Sequence, residues 1–165
     1  LMKRVYESAV SYARTFSTAS ESLLFMGATG LGKTLLSGCI ARAVADRGYS
    51  VCYVSAGKLF SDFETEKFRL KEDGALTGEY LQTDLLIIDD LGTEMTTQFT
   101  VSALYQIVNG RLLSGKPTIV STNLPDTELE ARYSAQIASR LLGAYTLYQF
   151  CGTDVRLLRK MESRG

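Results

Sequence analysis

The sequence predicts an α/β fold with a parallel sheet of five strands between layers of helices. Short apolar runs that do not alternate with polar residues, such as residues 23–26 and 85–88, are typical of strands covered on both faces. Segments with helical spacing separate these runs, so strands and helices alternate along the chain. The composition fits one globular domain, because 45% of the 165 residues are hydrophobic and 22% are charged.

Charge and cysteine content narrow the classes of function. The 18 basic and 18 acidic side chains balance, so contacts with nucleic acid would have to come from local patches. The three cysteines lie far apart and the chain has no histidine, which argues against a disulfide framework or a zinc site. No apolar run is long enough for a membrane span or a secretion signal. We expect a cytoplasmic protein with buried thiols.

The first strand leads into residues 27–34, which fit the phosphate-binding pattern G-x-x-x-x-G-K-[ST] at every fixed position. A strand before this segment and helical spacing after it supply the context that the motif requires. Backbone N–H groups of such a loop surround a phosphate at the positive end of the following helix. We expect a nucleoside triphosphate to contact Gly27, Ala28, Thr29, Gly30, Leu31, Gly32, Lys33, Thr34 and Leu35.

Two side chains of this phosphate loop have specific expected roles. Lys33 would reach the β- and γ-phosphates, and the Thr34 hydroxyl would ligate Mg²⁺. A glycine-rich turn with a surface lysine is the alternative. Before the loop, residues 2–16 predict a short helix, so residues 1–21 are interpreted as a helix and linker and residues 22–165 as the nucleotide-binding domain. After the loop, helical spacing continues until Gly48.

A second strand at residues 51–54 precedes a helix that starts at about Gly57. Basic residues in and after this helix could contact nucleic-acid phosphates. They are Lys58, Lys67, Arg69 and Lys71. Acidic residues are interleaved with them, so a solvated helical surface is the alternative.

The third strand, residues 85–88, ends in the adjacent acids Asp89 and Asp90. The carboxyl end of a buried parallel strand opens onto the ligand site of an α/β sheet. In phosphate-loop enzymes one acidic residue there holds the hydrated Mg²⁺ and a second orients the attacking water. We assign Asp89 to the first role and Asp90 to the second, with a polar turn as the alternative.

A helix over residues 96–113 and a fourth strand at 118–122 lead to Asn123, whose amide would face the bound phosphates. A turn before Leu124 is the alternative. Asp126 is expected to cap a helix that runs toward Leu142 and ends at Gly143. This helix carries Arg132 and Arg140. Residues 145–150 predict the fifth strand, and Thr153 or Asp154 would cap a last, basic helix that carries Arg156. The arginines can equally be surface charges that stabilise helix ends.

Together these motifs resemble the AAA+ ATPases, and among them the DnaC/DnaI helicase loaders and the IstB-like transposition proteins. Residues 27–34 are similar to their Walker A motif, residues 85–92 to Walker B and residues 121–124 to the sensor 1 strand. The resemblance implies the strand order 5-1-4-3-2, which brings the ends of the first, third and fourth strands side by side. The chain departs from the AAA+ pattern in one respect, because we expect the usual helical lid domain to be largely absent.

The same resemblance implies roles for two arginines and a cellular function. Arg140, in Ser-Arg-Leu, matches the arginine finger that acts on a neighbouring subunit's nucleotide, and Arg156 is similar to the sensor 2 arginine. The implied activity is hydrolysis of ATP with Mg²⁺ during self-assembly on single-stranded DNA, in order to load a hexameric replicative helicase. Alternatives are an IstB-like ATPase that assists a transposase, a small P-loop kinase, or a nucleotide switch that does not hydrolyse.

Overall fold

The computed structural model describes residues 2–69 and 75–152. Within them, each strand is separated from the next by one or two helices. The elements are α1 Met2–Thr15, β1 Leu23–Met26, α2 Lys33–Asp46, β2 Val51–Ser55, α3 Ala56–Arg69, α4 Ala75–Gln82, β3 Leu85–Leu91, α5 Gln98–Leu113, β4 Thr118–Thr122, α6 Asp126–Arg132, α7 Ala135–Ala144 and β5 Thr146–Gln149.

The five strands form one sheet in the order β2-β3-β4-β1-β5, and all neighbouring strands are parallel. Read from the other edge, this is the order 5-1-4-3-2, so both the predicted sheet and its order are confirmed. The adjacent strands β3, β4 and β1 occupy the middle of the sheet. Their carboxyl ends therefore bring the acid pair, Asn123 and the phosphate loop to one edge.

Helices cover both faces of the sheet, which explains the unbroken apolar runs. Leu23 and Phe25 of β1 pack with Ile40 and Val44 of α2 on one face. Leu24 packs on the opposite face, in the cluster that contains residues of α3, α5 and α7. Because successive strand residues point to opposite faces, a strand between two helix layers needs apolar residues at every position.

The segment after β4 differs from the prediction of a single helix. It forms two helices, α6 and α7, separated by Tyr133 and Ser134. Tyr133 is buried and its hydroxyl donates to the Glu94 carboxylate, while the Ser134 hydroxyl caps α7 by accepting from the Ile137 N–H at 3.2 Å. At this break the helix is interrupted, Tyr133 packs in the core, and Ser134 caps the helix that follows.

The structure differs from the sequence predictions in further places. Asp126 is the first residue of α6 and Pro125 holds the capping position, while Gly143 lies inside α7. The short helix α4 was not predicted. The thiols of Cys39 and Cys151 are exposed and that of Cys52 is half-buried. Within the described residues, no helix combines the length and the apolar character needed to cross a membrane.

The amino-terminal helix packs against the rest of the described domain. Val5, Ala9 and Phe16 belong to the same apolar cluster as Leu23 and Ile40. The Arg47 guanidinium, at the end of α2, donates to the carbonyl oxygens of residues 13 and 16 at 3.0 and 2.9 Å. The boundary between residues 21 and 22 remains a prediction.

Candidate functional site

The phosphate loop connects β1 to α2 at the carboxyl edge of the sheet. Gly32, immediately before α2, has φ +95°, a left-handed conformation that glycine adopts without a side-chain clash. A β-carbon at Gly27 would lie 2.5 Å from the Phe150 carbonyl oxygen. The loop therefore requires glycine at its start for close packing and at its end for backbone conformation.

Lys33 begins α2 and its side chain turns back over the loop. It is 6% exposed, and its ammonium group donates to the carbonyl oxygens of Gly27 and, at 2.8 Å, of Ala28. A lysine has three N–H donors, so one remains for a phosphate oxygen. Burial lowers the pKa of Lys33, and the negative charges of Asp90 and Asp89 partly oppose that shift. The acid pair thus lies within electrostatic range of this ammonium group.

The remaining loop residues divide between surface and core. Ala28, Thr29, Thr34 and Leu35 are exposed, and the last two lie in the first turn of α2, where backbone N–H groups attract anions. Leu31 is buried in the cluster between α2 and the sheet. Its side chain packs in the core, so only its backbone is available to a nucleotide.

Asp89 lies in β3, on the same face of the sheet as Ile87 and the helix α2. Its carboxylate is 5% exposed. One oxygen, Oδ2, accepts a 2.7 Å hydrogen bond from the Tyr53 hydroxyl, and Oδ1 accepts from the Ser121 hydroxyl. Both donors are neutral hydroxyl groups, so neither forms an ion pair with the carboxylate.

Because of a bulge in β3, the side chains of Asp89 and Asp90 point in different directions. The register with β4 pairs Ile88 with Val120 and then Leu91 with Thr122, so Asp89 and Asp90 lie opposite one residue. Asp90 has φ +56°, a left-handed conformation that aspartate tolerates. Its side chain is exposed, whereas that of Asp89 is buried.

Asn123 follows β4 at the same edge. Its exposed side chain lines a depression of about 430 Å³ that also contains Gly27 and Ala28 of the phosphate loop. The preceding Thr122 hydroxyl donates to the Leu91 carbonyl oxygen at 2.6 Å and accepts from the Leu124 N–H at 3.1 Å. These bonds attach the segment that carries Asn123 to the end of β3.

Arg140 contacts α5 within its own chain. Its guanidinium donates to Asn109 Oδ1 at 3.1 Å and to the Tyr105 hydroxyl at 3.3 Å, and lies 4.9 Å from the centroid of the Tyr105 ring. A further bond joins it to the Gln136 carbonyl oxygen. Its role toward a neighbouring subunit's nucleotide remains a prediction. Arg156 lies outside the described residues.

Sequence reasoning missed three side chains at this edge. Tyr53 and Ser121 hold Asp89, and Glu94 accepts from the Gly92 N–H at 2.9 Å and from the Tyr133 hydroxyl. A signal existed for Ser121, because a hydroxyl group needs a hydrogen-bond partner when its strand is buried on both faces. The partner itself depends on strand order and register.

Comparison with known proteins agrees with this geometry. Residues 7–147 match the model of the IstB-like ATP binding protein family. The chain belongs to this family. A Mycobacterium tuberculosis protein, named as an ATP-binding protein in an insertion sequence, is 30% identical over 105 residues, 64% of this chain and 41% of that protein. The replicative helicase loader DnaC of Escherichia coli is 27% identical over 135 residues, 81% of this chain and 55% of DnaC.

Solved structures show the same fold. A crystal structure of the DnaC helicase loader superimposes with a TM-score of 0.82 at 20% identity, covering 90% of this chain and 89% of that one. AMPPCP-bound DnaA from Aquifex aeolicus gives 0.80 at 20% identity, covering 97% and 49%. These neighbours are AAA+ domains. The present chain therefore belongs to a family of ATP-binding proteins, has the fold of these AAA+ domains, and spans about half the length of the relatives just named.

Proposed function

We propose that this domain hydrolyses ATP with Mg²⁺ and uses the cycle to control its assembly on DNA. The observation that carries the proposal is that a buried lysine ammonium lies within electrostatic range of a buried and an exposed carboxylate at one sheet edge. The residues are Lys33, Asp89 and Asp90. Phosphoryl transfer demands positioning and charge neutralisation rather than covalent chemistry. A fixed cation beside two acids of different exposure suits that demand.

The residues at the edge fit Mg²⁺. The Thr34 hydroxyl and the Asp89 carboxylate are the hard oxygen ligands that this ion prefers beside nucleotide phosphates. Bound there, Mg²⁺ would supply positive charge to the phosphate oxygens. Lys33 would bind the β- and γ-phosphates through its remaining N–H. The exposed Asp90 would orient the attacking water, and Asn123 would hold that water in line with the leaving group.

Replicative helicase loading is the cellular role that we favour. The replicative helicase loader DnaC of Escherichia coli aligns with 81% of this chain. A crystal structure of the DnaC helicase loader has the same fold as this chain. Such a role would bring a hexameric helicase, single-stranded DNA and further copies of the chain as partners. The second candidate is assistance to a transposase, favoured by the family match and by the relative found in an insertion sequence.

The structure changes which basic residues suit a DNA contact. The Lys58 ammonium is bound by both carboxylate oxygens of Asp62 at 2.9 Å. Lys67 instead lies 4.9 Å above the ring centroid of Phe99 and 5.7 Å from that of Phe68, which is 67% exposed. An exposed aromatic ring beside a cation suits a single strand, because bases stack on one and phosphates bind the other. Lys71 and the side chain of Arg69 lie outside the described part of the chain.

Steady-state ATP hydrolysis, measured over a range of protein concentrations with and without single-stranded DNA, tests the activity. We expect Lys33→Ala to lose ATP binding, and Asp90→Asn to bind ATP but hydrolyse about 100-fold more slowly. Arg42→Ala, on the exposed face of α2, is the control. Binding without hydrolysis under all conditions would establish a nucleotide switch instead. Parallel capture assays of the full-length protein with replicative helicase and with transposase separate the two cellular roles.

A further inference from the structure

Asp89 is held from both neighbouring strands at once. Tyr53 reaches it from β2 and Ser121 from β4, while Asp89 itself lies in β3 between them. Each carboxylate oxygen therefore has one hydroxyl donor. Because a carboxylate oxygen has about two acceptor sites, each oxygen keeps one site for another donor or a metal-bound water.

Ser121 also contacts the second acid. Its oxygen accepts the Asp90 backbone N–H at 3.0 Å while its proton is donated to Asp89. Ser121 is fully buried, so this hydroxyl has little freedom to rotate toward other partners. The Ser121 hydroxyl thus forms hydrogen bonds with both residues of the β3 bulge, Asp89 and Asp90.

Tyr53 binds Asp89 and lines the same surface depression as Thr34, the other expected magnesium ligand. Its ring lines a surface depression together with Thr34, Leu35 and Gly38 of α2. The ring is 41% exposed, yet its hydroxyl points inward to the carboxylate. The Tyr53 side chain therefore presents its ring to the depression beside the first turns of α2 and its hydroxyl to the β3 acid.

We propose that Tyr53 and Ser121 are positioning residues that fix the Asp89 carboxylate for the magnesium ion of bound ATP. Without Tyr53, Oδ2 would lose its donor and the carboxylate could rotate about its last bond, so fewer molecules would present the productive orientation. Hydrogen bonds to ligating groups typically change metal affinity about 10- to 100-fold. This inference rests on the proposed use of Mg²⁺ with ATP.

The test measures binding of a fluorescent ATP analogue as Mg²⁺ is titrated, with a parallel titration in EDTA. For Tyr53→Phe we expect affinity without Mg²⁺ within about twofold of the unsubstituted chain, and about a 10-fold higher Mg²⁺ concentration at half-maximal enhancement. Ser121→Ala should shift the same midpoint. Tyr49→Phe, which removes a hydroxyl from a ring packed on Phe16, is the matched control and should leave it unchanged.

A second measurement separates positioning from general packing. In the Asp89→Asn background, Tyr53→Phe should have no further effect on the Mg²⁺ midpoint, because its effect passes through the carboxylate. The inference is overturned if Tyr53→Phe leaves the midpoint unchanged, or weakens binding equally with and without Mg²⁺. If the unsubstituted chain binds ATP with no response to Mg²⁺, the proposed function fails first, and this outcome is distinct from the other two.

Discussion

The Arg111 guanidinium donates from Nε to the Thr118 hydroxyl at 2.7 Å, and both side chains are fully buried. The other N–H groups of Arg111 bind backbone carbonyl oxygens. These belong to Tyr80, Leu81, Thr83, Asp84 and Pro117. Burial lowers the pKa of this arginine to about 10. Arg111 thus joins α4, α5 and the amino ends of β3 and β4, at the edge opposite the candidate site.

Arg111→Met is expected to lower the free energy of unfolding by about 3 kcal/mol or more, because several buried carbonyl oxygens lose their donor. Urea unfolding followed by circular dichroism measures this. Arg42→Ala is the control, since its ion pair with Asp46 is exposed and long, at 3.9 Å, and should change stability by less than about 1 kcal/mol. Equal unfolding midpoints for the two variants would contradict the role assigned to Arg111.

Gly27→Ala should disturb the start of the phosphate loop. The added methyl group would lie 2.8 Å from the Phe150 β-carbon and closer still to its carbonyl oxygen. We expect a loss of about 1–3 kcal/mol in stability together with weaker ATP binding, measured by thermal unfolding and titration. Gly38→Ala is the control, because nothing lies within 4 Å of its β-carbon and alanine favours a helix interior by about 1 kcal/mol. It should unfold at a higher temperature.

ATP affinity should decrease as the pH rises from neutral into the mildly alkaline range. Burial lowers the pKa of Lys33 in the free protein, whereas a bound phosphate would favour the charged ammonium and raise it. Between these two values the complex holds more protons than the free protein, so rising pH weakens binding. Titrations from about pH 7 to about pH 10 measure this effect.

The matched variant for that pH series is Lys33→Arg, whose guanidinium stays charged throughout the range. It should bind more weakly overall but with little dependence on pH. A decrease of the same size in both proteins would assign the effect to another group.

Arg140→Ala should retain ATP binding and lose hydrolysis that increases with protein concentration. A finger supplied by a neighbour is worth about 10³ to 10⁵ in rate in the GTPase case. Mixing Arg140→Ala, which keeps its ATP site, with Lys33→Ala, which keeps its arginine, should restore part of the activity that each lacks alone.

The contacts with α5 offer another role for Arg140, namely packing between α5 and α7. Thermal unfolding of Arg140→Ala measures that contribution. Normal hydrolysis by this variant at every concentration, or no recovery on mixing, would remove the assignment to a neighbouring site.

Single-stranded DNA binding should depend on Lys67 and Phe68 in different ways. Lys67→Ala should weaken binding and reduce the slope of log affinity against log salt by about 0.7. Phe68→Ala should cost about 1–3 kcal/mol of stacking with the slope unchanged. Replacing Lys58, Lys67, Arg69 and Lys71 together should flatten the slope further. Lys3→Ala on α1, an exposed lysine beside Glu7, is the control. If Lys67→Ala and Phe68→Ala both leave the affinity for single-stranded DNA unchanged, these two residues do not contact the DNA.

Local patterns predicted the strands and most helices because burial on both faces leaves unbroken apolar runs. They missed α4, and they joined α6 to α7, because Tyr133 and Ser134 fit a helix locally. The break is stabilised by the hydrogen bond of Tyr133 to Glu94, a tertiary contact, and by the cap that Ser134 provides. The expectation of buried thiols failed for a similar reason, since composition does not say which face of α2 carries Cys39.

The sequence by itself determined the phosphate loop, the acid pair and the presence of five parallel strands, since each depends on residue types at short, regular spacings, whereas the strand order was implied only by the family resemblance. Only the tertiary structure decided how Asp89 is held. Its two donors are 36 residues before it and 32 residues after it in the chain. They meet it because β2 and β4 flank β3, and because the bulge turns Asp89 inward and leaves Asp90 exposed. Strand order and register are collective properties of the folded sheet, so no local pattern contains them.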